Sequence, residues 1–566
     1  MALLRAAGLC RLALRTHWAS LRLLSSAGAG GEPPAGEDKP GRRVDLEALR
    51  RERALRPPSD RARGPIARGV RAGSAGSARG PRGVRSRAHH PAARVSPATP
   101  GRLVPPTREQ LQLNKELQTC ASGEAVLALV SSRLAVLNEV NAATALMTLA
   151  RRASISEAAS LSGDARFAQL IDAAASRFGL MAAQELSNTI YACGQLSIVP
   201  PADWLERYWH ATASKLGEFK PQNFSNTVYA CSQLGLEPPA DWLERYWHAS
   251  VEKLGDFKPQ ELGNMLYACG QLGITPPADW LPRFWHASAA MLGDFKPQEL
   301  NNTIYACGQL GVTPSDYWLP RFWQASAAAL GAWIAQDLSN TIYACGLLDI
   351  RPPADWLPRF SSGCEQALPG MNQQDWANTA FALAMLGLWE LPLWCGLWER
   401  LCTSISRDIA GWSAEDRLQA LQMYQAYQVA AVERPGLLPA PSPELLAAAR
   451  KSWIDQARER QTESSSRLHD GVSACLTHMG VAHANERWCE RSERSIDIAI
   501  DGATPVALEV DGPSHFLQDG RLNGRTLLRN RILAAHGWRV AVVDHRAWNA
   551  QQTQEQREAY LRHLLA

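Results

Sequence analysis

The chain has 566 residues, enough for several domains, and a formal net charge of only +4. That small figure conceals an asymmetry: residues 1–106 carry 21 Lys and Arg against 7 Asp and Glu, a net of +14, leaving −10 for the rest. Overall basicity therefore makes no case for nucleic-acid binding by the folded part. No apolar run approaches the roughly 18 residues of a membrane span, which predicts a soluble chain.

Residues 1–31 contain no acid, and Arg11, Arg15 and Arg22 share one side of a helical wheel, with Arg5 farther round. Arginine interrupts the apolar residues too often for a secretory signal, so the segment reads as an organellar targeting peptide. Residues 32–106 are rich in Arg, Gly, Pro, Ala and Ser without apolar periodicity, which predicts a disordered basic linker. The twelve cysteines include no CxxC pair, and five of them, from Cys193 to Cys345, lie 38 residues apart. That spacing suits small buried apolar residues better than a zinc site or a disulfide framework.

The same 38-residue period dominates residues 107–400. Trp204, Trp242, Trp280, Trp318 and Trp356 follow it, as do Asn188, Asn226, Asn264, Asn302, Asn340 and Asn378. An unbroken period of this length predicts an α-solenoid of helix-turn-helix units, clear over 184–373 and worn at both ends. The first helix of a unit, as in PQELGNMLYACGQLG (259–273), opens with proline, buries Leu262, Leu266, Cys269 and Leu272, and stops at Gly273. The second, PADWLPRFWHASAAMLG (277–293), carries Asp279 in its first turn and buries Trp280, Leu281, Phe284 and Leu292. A helical pair of this length with PPADW four times and PSDYW once (314–318) resembles the octotricopeptide repeat of organellar RNA-binding proteins. Asp stands where that family often has Glu, and Ala where it often has a third proline. The resemblance implies sequence-selective binding of single-stranded organellar RNA; the period alone shows a solenoid, which serves protein binding equally well.

Arg207, Arg245, Arg283, Arg321 and Arg359 also recur every 38 residues and form a candidate phosphate ladder, with Lys220, Lys258 and Lys296 as a shorter second row. The alternative is a solvated face, with Glu206 and Glu244 as neighbours. Base readout needs positions that vary within a fixed frame. The residue before the repeated Asn varies, as Ser187, Ser225, Gly263, Asn301, Ser339 and Ala377. So does the residue two positions earlier, from Glu185 and Asn223 to Asp375. At about one base per unit, these predict a footprint of about five or six nucleotides. The unvarying Asn either ties adjacent units together or makes an invariant contact to RNA.

Residues 401–470 read as a helical connector, broken at PAPSP (439–443), and 471–566 as a small α/β module. SIDIAI (495–500), PVALEV (505–510) and WRVAVV (538–543) are strand-like, with a helix, TLLRNRILAAHG, before the last. A hairpin folded about residue 503 sets Asp497 opposite Glu509, and alternation puts Asp511 on the same face. Three converging carboxylates call for an offset, either a divalent metal or solvent. VALEVDGPSHF (506–516), LRNRIL (528–533) and GWRV (537–540) resemble the RAP domain of organellar RNA-metabolism proteins over about 494–551. That family is related to the restriction-endonuclease-like fold, whose pattern is Asp followed on the next strand by Glu-x-Lys. Asp497 and Glu509 match the first two positions; Asp511 replaces the lysine, which sets the resemblance against hydrolysis. His515 and Arg529 either substitute for that cation or bind phosphate.

The sequence thus predicts a mainly α chain, a solenoid followed by a restriction-endonuclease-like module. The leading function is a sequence-selective, cofactor-free binder of single-stranded RNA in the mitochondrial matrix or chloroplast stroma. It would act in processing, stability, splicing or translation, beside RNA-processing or ribosomal proteins. The alternatives are an RNA-processing endonuclease in which Asp497, Glu509 and Asp511 hold Mg²⁺, and a protein-binding scaffold.

Overall fold

The computed structural model describes residues 105–462 and 467–566, so the targeting segment and nearly all of the basic linker lie outside the described residues. Helices alternate along the chain as α1 (Arg108–Thr119), α2 (Gly123–Ser132), α3 (Glu139–Arg152), α4 (Ile155–Ser160) and α5 (Ala165–Ala175). The regular pairs follow: α6 (Ala183–Leu196) with α7 (Ala202–Ala213), α8 (Pro221–Leu234) with α9 (Ala240–Val251), and α10 (Pro259–Leu272) with α11 (Trp280–Ala289). Then come α12 (Pro297–Leu310) with α13 (Leu319–Ala329), α14 (Ala335–Leu348) with α15 (Trp356–Ala367), and α16 (Gln373–Met385) with α17 (Trp394–Ile405). The first helices α6, α8, α10, α12, α14 and α16 pack side by side in one layer, which runs on into α18 (Ala414–Glu433).

Each helix stops for a local reason. Gly273 ends α10 at φ +66°, a left-handed conformation that costs glycine nothing, and its N–H caps the Cys269 carbonyl. Proline opens α8, α10 and α12, where the missing N–H has no partner to lose. First helices also approach closely: a Cβ on Gly308 would sit 2.9 Å from Ala344 Cα.

The second helices are stitched by tryptophan. The indole N–H groups of Trp242, Trp280, Trp318 and Trp356 donate to the hydroxyls of Thr212, Ser250, Ser288 and Ser326 in the preceding unit, at 2.9–3.1 Å. These rings are buried, and Trp209, Trp247, Trp285 and Trp323 each pack against the next of them at centroid distances of 5.1–5.2 Å. Burial of the ring supplies most of the energy, and the hydroxyl satisfies the one polar group that burial would otherwise strand.

Beyond α18, Ser442 caps α19 (Pro443–Thr462), with the Leu445 N–H donating to its hydroxyl at 3.2 Å. After α20 (Arg467–His478) the strands β1 (Ala484–Cys489), β2 (Arg494–Ile500) and β3 (Val506–Asp511) run antiparallel. Helix α21 (Gly524–Ala535) crosses over to β4 (Arg539–Asp544), which pairs parallel with β3. Helices α22 (His545–Ala550) and α23 (Gln554–Leu565) close the chain. One sheet face packs Ile498 and Leu508 against α20 and α23; the other packs Ala499 and Ala507 beneath α21. Strand β1, ANERWC, was not anticipated, since its residues show no apolar alternation.

Replacing Ser288 by Ala leaves the Trp318 indole N–H buried without a partner. Urea unfolding should show a loss of about 1–3 kcal/mol, whereas a loss under about 0.5 kcal/mol would mean that ring burial alone holds the units together.

Candidate functional site: the open face of the first helices

On α10 the buried stripe of Leu262, Met265, Leu266 and Cys269 leaves Gln260, Asn264, Tyr267 and Gln271 on the opposite, accessible side. These residues are spaced four, three and four apart and so form one stripe along the helix. The stripe repeats unit by unit. Gln184, Gln222, Gln260 and Gln298 are exposed, and the half-buried Asn188, Asn226, Asn264 and Asn302 stand one turn further on. Among the described residues, none of these four asparagine amides makes a hydrogen bond inside the protein; they do not tie neighbouring units together. That linking role belongs to asparagines at the array ends. Asn141 donates to the Gln110 carbonyl at 3.0 Å, and Asn378 accepts from Gln422 at 2.9 Å. A tyrosine row, beginning with Tyr191 and Tyr229 at 6.5 Å between ring centres, lies beside the asparagines. Two clefts open on this face, and Gln184 lines both.

The positions expected to read bases are elsewhere. Ser187, Ser225, Gly263, Asn301 and Ser339 are all buried, with Ser187 and Ser339 wholly inaccessible. They lie in the seam where one first helix meets the next: a Cβ on Gly263 would touch the Glu299 backbone. Small residues alternate there because helix spacing permits several, and no base reaches them. The second varying position is a helix cap. The backbone N–H groups of Lys220, Lys258 and Lys296 donate to the side chains of Asn223, Glu261 and Glu299 at 2.8–2.9 Å, completing the first turn of each helix.

The cations divide. Arg207, Arg245, Arg283, Arg321 and Arg359 are exposed, but they stand on the second helices and their bonds stay in that layer. Arg207 donates to the Ala175 carbonyl at 2.8 Å, Arg283 pairs with Glu252 at 3.1 Å, and Arg321 donates to the Tyr317 carbonyl at 2.7 Å. The ladder therefore belongs to the other helical layer from the amide rows, and the expected pairing of arginines with readout positions does not form. Lys220, Lys258 and Lys296 are different: they cap first helices, their side chains are exposed, and Lys220 and Lys258 line a cleft beside Gln184 and Gln222.

In the C-terminal module the hairpin register places Ile498 opposite Leu508, which carries Asp497 opposite Glu509 as expected. A cation of the chain itself stands among the carboxyls. Arg529, from α21, lies 3.0 Å from Glu509 Oε2 and donates to both oxygens of Asp511 at 2.9 and 3.1 Å. Its N–H is not aimed at Glu509, so that contact is an ion pair without a hydrogen bond. Asp497 accepts from the Val510 N–H at 2.7 Å, and His515 approaches Asp511 at 3.1 Å. Burial pushes the Glu509 carboxyl up to about 8; the Arg529 charge opposes that rise, and the Asp497 and Asp511 charges add to it. Three carboxyls share one arginine, so the cluster retains a proton while Arg529 stays charged. Such a set does not fit a divalent cation, because a cation already stands between Glu509 and Asp511. Nor is Arg529 free to bind phosphate.

The opposite side of α21 docks on the array. Leu528 and Ile532, with Leu517, join the hydrophobic core of the repeats. The Gln518 N–H donates to the Gly311 carbonyl at 2.9 Å, Arg525 bonds the Tyr343 hydroxyl, and Arg531 bridges Glu433 and the Met385 carbonyl. A Cβ on Gly524 would land on the Gly346 carbonyl oxygen. The module thus lies over the last rungs, where Asn340 and Asn378 are only 8% and 5% exposed. The open face is left with about four rungs rather than the five or six expected. The glutamine and tyrosine rows, and the docking residues Arg525 and Arg531, were missed, while the asparagine row was named with both readings left open. The period of the rows was visible, but nothing in it says which periodic positions face outward.

Comparison with known proteins agrees with this division. Residues 508–564 match the RAP domain, and residues 237–389 match the N-terminal domain of the Tbc2 translation factor. A RAP domain-containing chloroplastic protein of Oryza sativa subsp. japonica is 28% identical over 185 residues, which is 32% of this chain and 28% of that protein. The chain thus covers under a third of that relative's length. The helical pairs are compatible with the octotricopeptide resemblance, and the RAP match falls on the C-terminal module. Among the described residues no helix is long and apolar enough to cross a membrane.

A carboxyl whose proton is held more tightly in the fold than in the unfolded chain stabilises at low pH and loses that contribution as pH rises. Stability should therefore fall between about pH 4.5 and pH 8, the range from the ordinary Glu509 value to the raised one, and Glu509→Gln should flatten that slope in denaturation curves. Arg529→Leu, which strands three carboxyls, should cost about 3–5 kcal/mol. Gly524→Val should separate the module from the array, seen as rapid proteolysis between 440 and 470 with the repeat helicity retained.

Proposed function

We propose that this chain is a non-enzymatic factor that binds single-stranded RNA in an organelle along the open face of its first helices. The observation that carries the reading is the row Asn188, Asn226, Asn264 and Asn302: half-buried, solvent-accessible amides, regularly spaced, with no hydrogen-bond partner among the described residues. Buried or self-satisfied amides would be structural, whereas a row with unused donors and acceptors is built for an external ligand. The lysines at the helix starts supply phosphate contacts beside it, and the half-buried Tyr191, Tyr229 and Tyr267 offer aromatic faces for stacking. The RAP domain and the chloroplastic relative support an organellar setting, the mitochondrial matrix or chloroplast stroma, and so does the arginine-rich leader. Sequence-selective contact with one RNA segment suits a role in its processing, stability, splicing or translation. The Arg529-filled carboxyl cluster favours a structural role for the C-terminal module over Mg²⁺-dependent cleavage.

Fluorescence anisotropy with labelled single-stranded RNA tests this on the full chain. Lys258→Ala should weaken binding and lower the log–log salt slope by about 1. Joint Asn226→Ala and Asn264→Ala should weaken it without changing that slope, and Arg245→Ala should leave it unaltered. Loss of binding only in the arginine variant would move the RNA to the second-helix layer. No RNA binding at all would leave a protein-binding scaffold.

A further inference from the structure

We propose, resting on the RNA reading above, that the open face selects a run of one base rather than a mixed sequence. Helical-repeat readers place about one base on each unit and recognise it with two or three side chains, so units with different side chains read different bases. Here the outward amide side chains do not differ, although the helix starts do, with an exposed Ala182 where later units carry Lys220, Lys258 and Lys296. The stripe Gln, Asn, Tyr, Gln has the same residues on α6, α8, α10 and α12, from Gln184–Gln195 to Gln298–Gln309, with Tyr305 of the last one buried. Between these first helices the variation sits in the buried seam at Ser187, Ser225, Gly263 and Asn301, in the core at pairs such as Leu186 and Phe224 or Thr189 and Met265, and at the capping position, where Asn223, Glu261 and Glu299 each spend a side-chain oxygen on a backbone N–H. Exposed residues that do change, such as Val199, Glu237 and Thr275, lie in the loop after the helix rather than on its open face.

Two further features agree. The uniformity ends where the surface ends: Leu347 replaces the last glutamine on α14, the helix whose Tyr343 is engaged by Arg525 of the docked module. The amide side chains also match bases better than phosphates. Each carries a donor and an acceptor, able to form paired bonds with one base edge, apart from Gln271, which donates to Gln309 at 3.3 Å; charge neutralisation falls to the lysine row. Four identical amide sets in register thus repeat one preference four times, with the tyrosine accessible on the first three.

The test uses the full chain and labelled rA12, rU12 and rC12, with a mixed 12-mer containing no repeated neighbours, all at one salt concentration. One homopolymer should bind at least about tenfold tighter than the other two and than the mixed strand. Interrupting a four-nucleotide run of that base, within an otherwise indifferent strand, should remove most of the advantage. Asn264→Ala, a change at a solvent-facing amide that leaves the fold intact, should narrow the gap between favoured and disfavoured homopolymers. Affinities equal within about twofold, or a mixed strand that binds best, would overturn the inference while leaving RNA binding in place. Failure of every strand to bind would remove the RNA reading beneath it.

Discussion

The array depends on one contact, a tryptophan of each unit pressed into its predecessor with its indole N–H on that unit's hydroxyl. No helical pair can hide such a ring alone, so each unit is completed by its neighbour and the stack grows by nearest-neighbour terms. The contact fixes the step between units and thereby lines up everything else that repeats. Rows of glutamine, asparagine and tyrosine on the first helices are aligned because the tryptophans on the second helices leave the units little freedom to slip.

Helix α21 turns the C-terminal module into part of the same body. Thr526, Arg529 and Leu533 face its own sheet, where Arg529 holds the carboxyl cluster, while Arg525, Leu528 and Ile532 face the repeats. Spacings of three and four residues give the helix two working sides. A cluster with the outline of a nuclease centre is thereby used as the electrostatic anchor of a helix whose other side docks on the array.

Much of this was readable in the residues. Proline starts, glycine stops and the 38-residue tryptophan column yield the helical pairs, and the turn centred on residue 503 yields the carboxyl register. The open face was not readable. Variation drew attention to Ser187 and its counterparts, yet variation is also what a helix seam tolerates when any small residue fits. The unvarying Asn188 row looked structural, because constancy alone does not separate a buried tie from a repeated surface. Arg529 was noticed as a cation but not as the offset, since crossover helices bring residues to a sheet from outside its own strand pattern. The shortened face depends on docking over more than a hundred residues of chain, for which no local pattern exists.

The meeting of Gly524 with the Gly346 carbonyl constrains how the molecule can move. Main chain rests there on main chain, with no side chain between to rotate or compress. Together with apolar residues shared by both modules, such a joint has no intermediate setting: it is seated or it is apart. The C-terminal module therefore does not swing over the repeats as a tethered flap would, but behaves as a fixed wall that closes the surface at one end and gives it a direction.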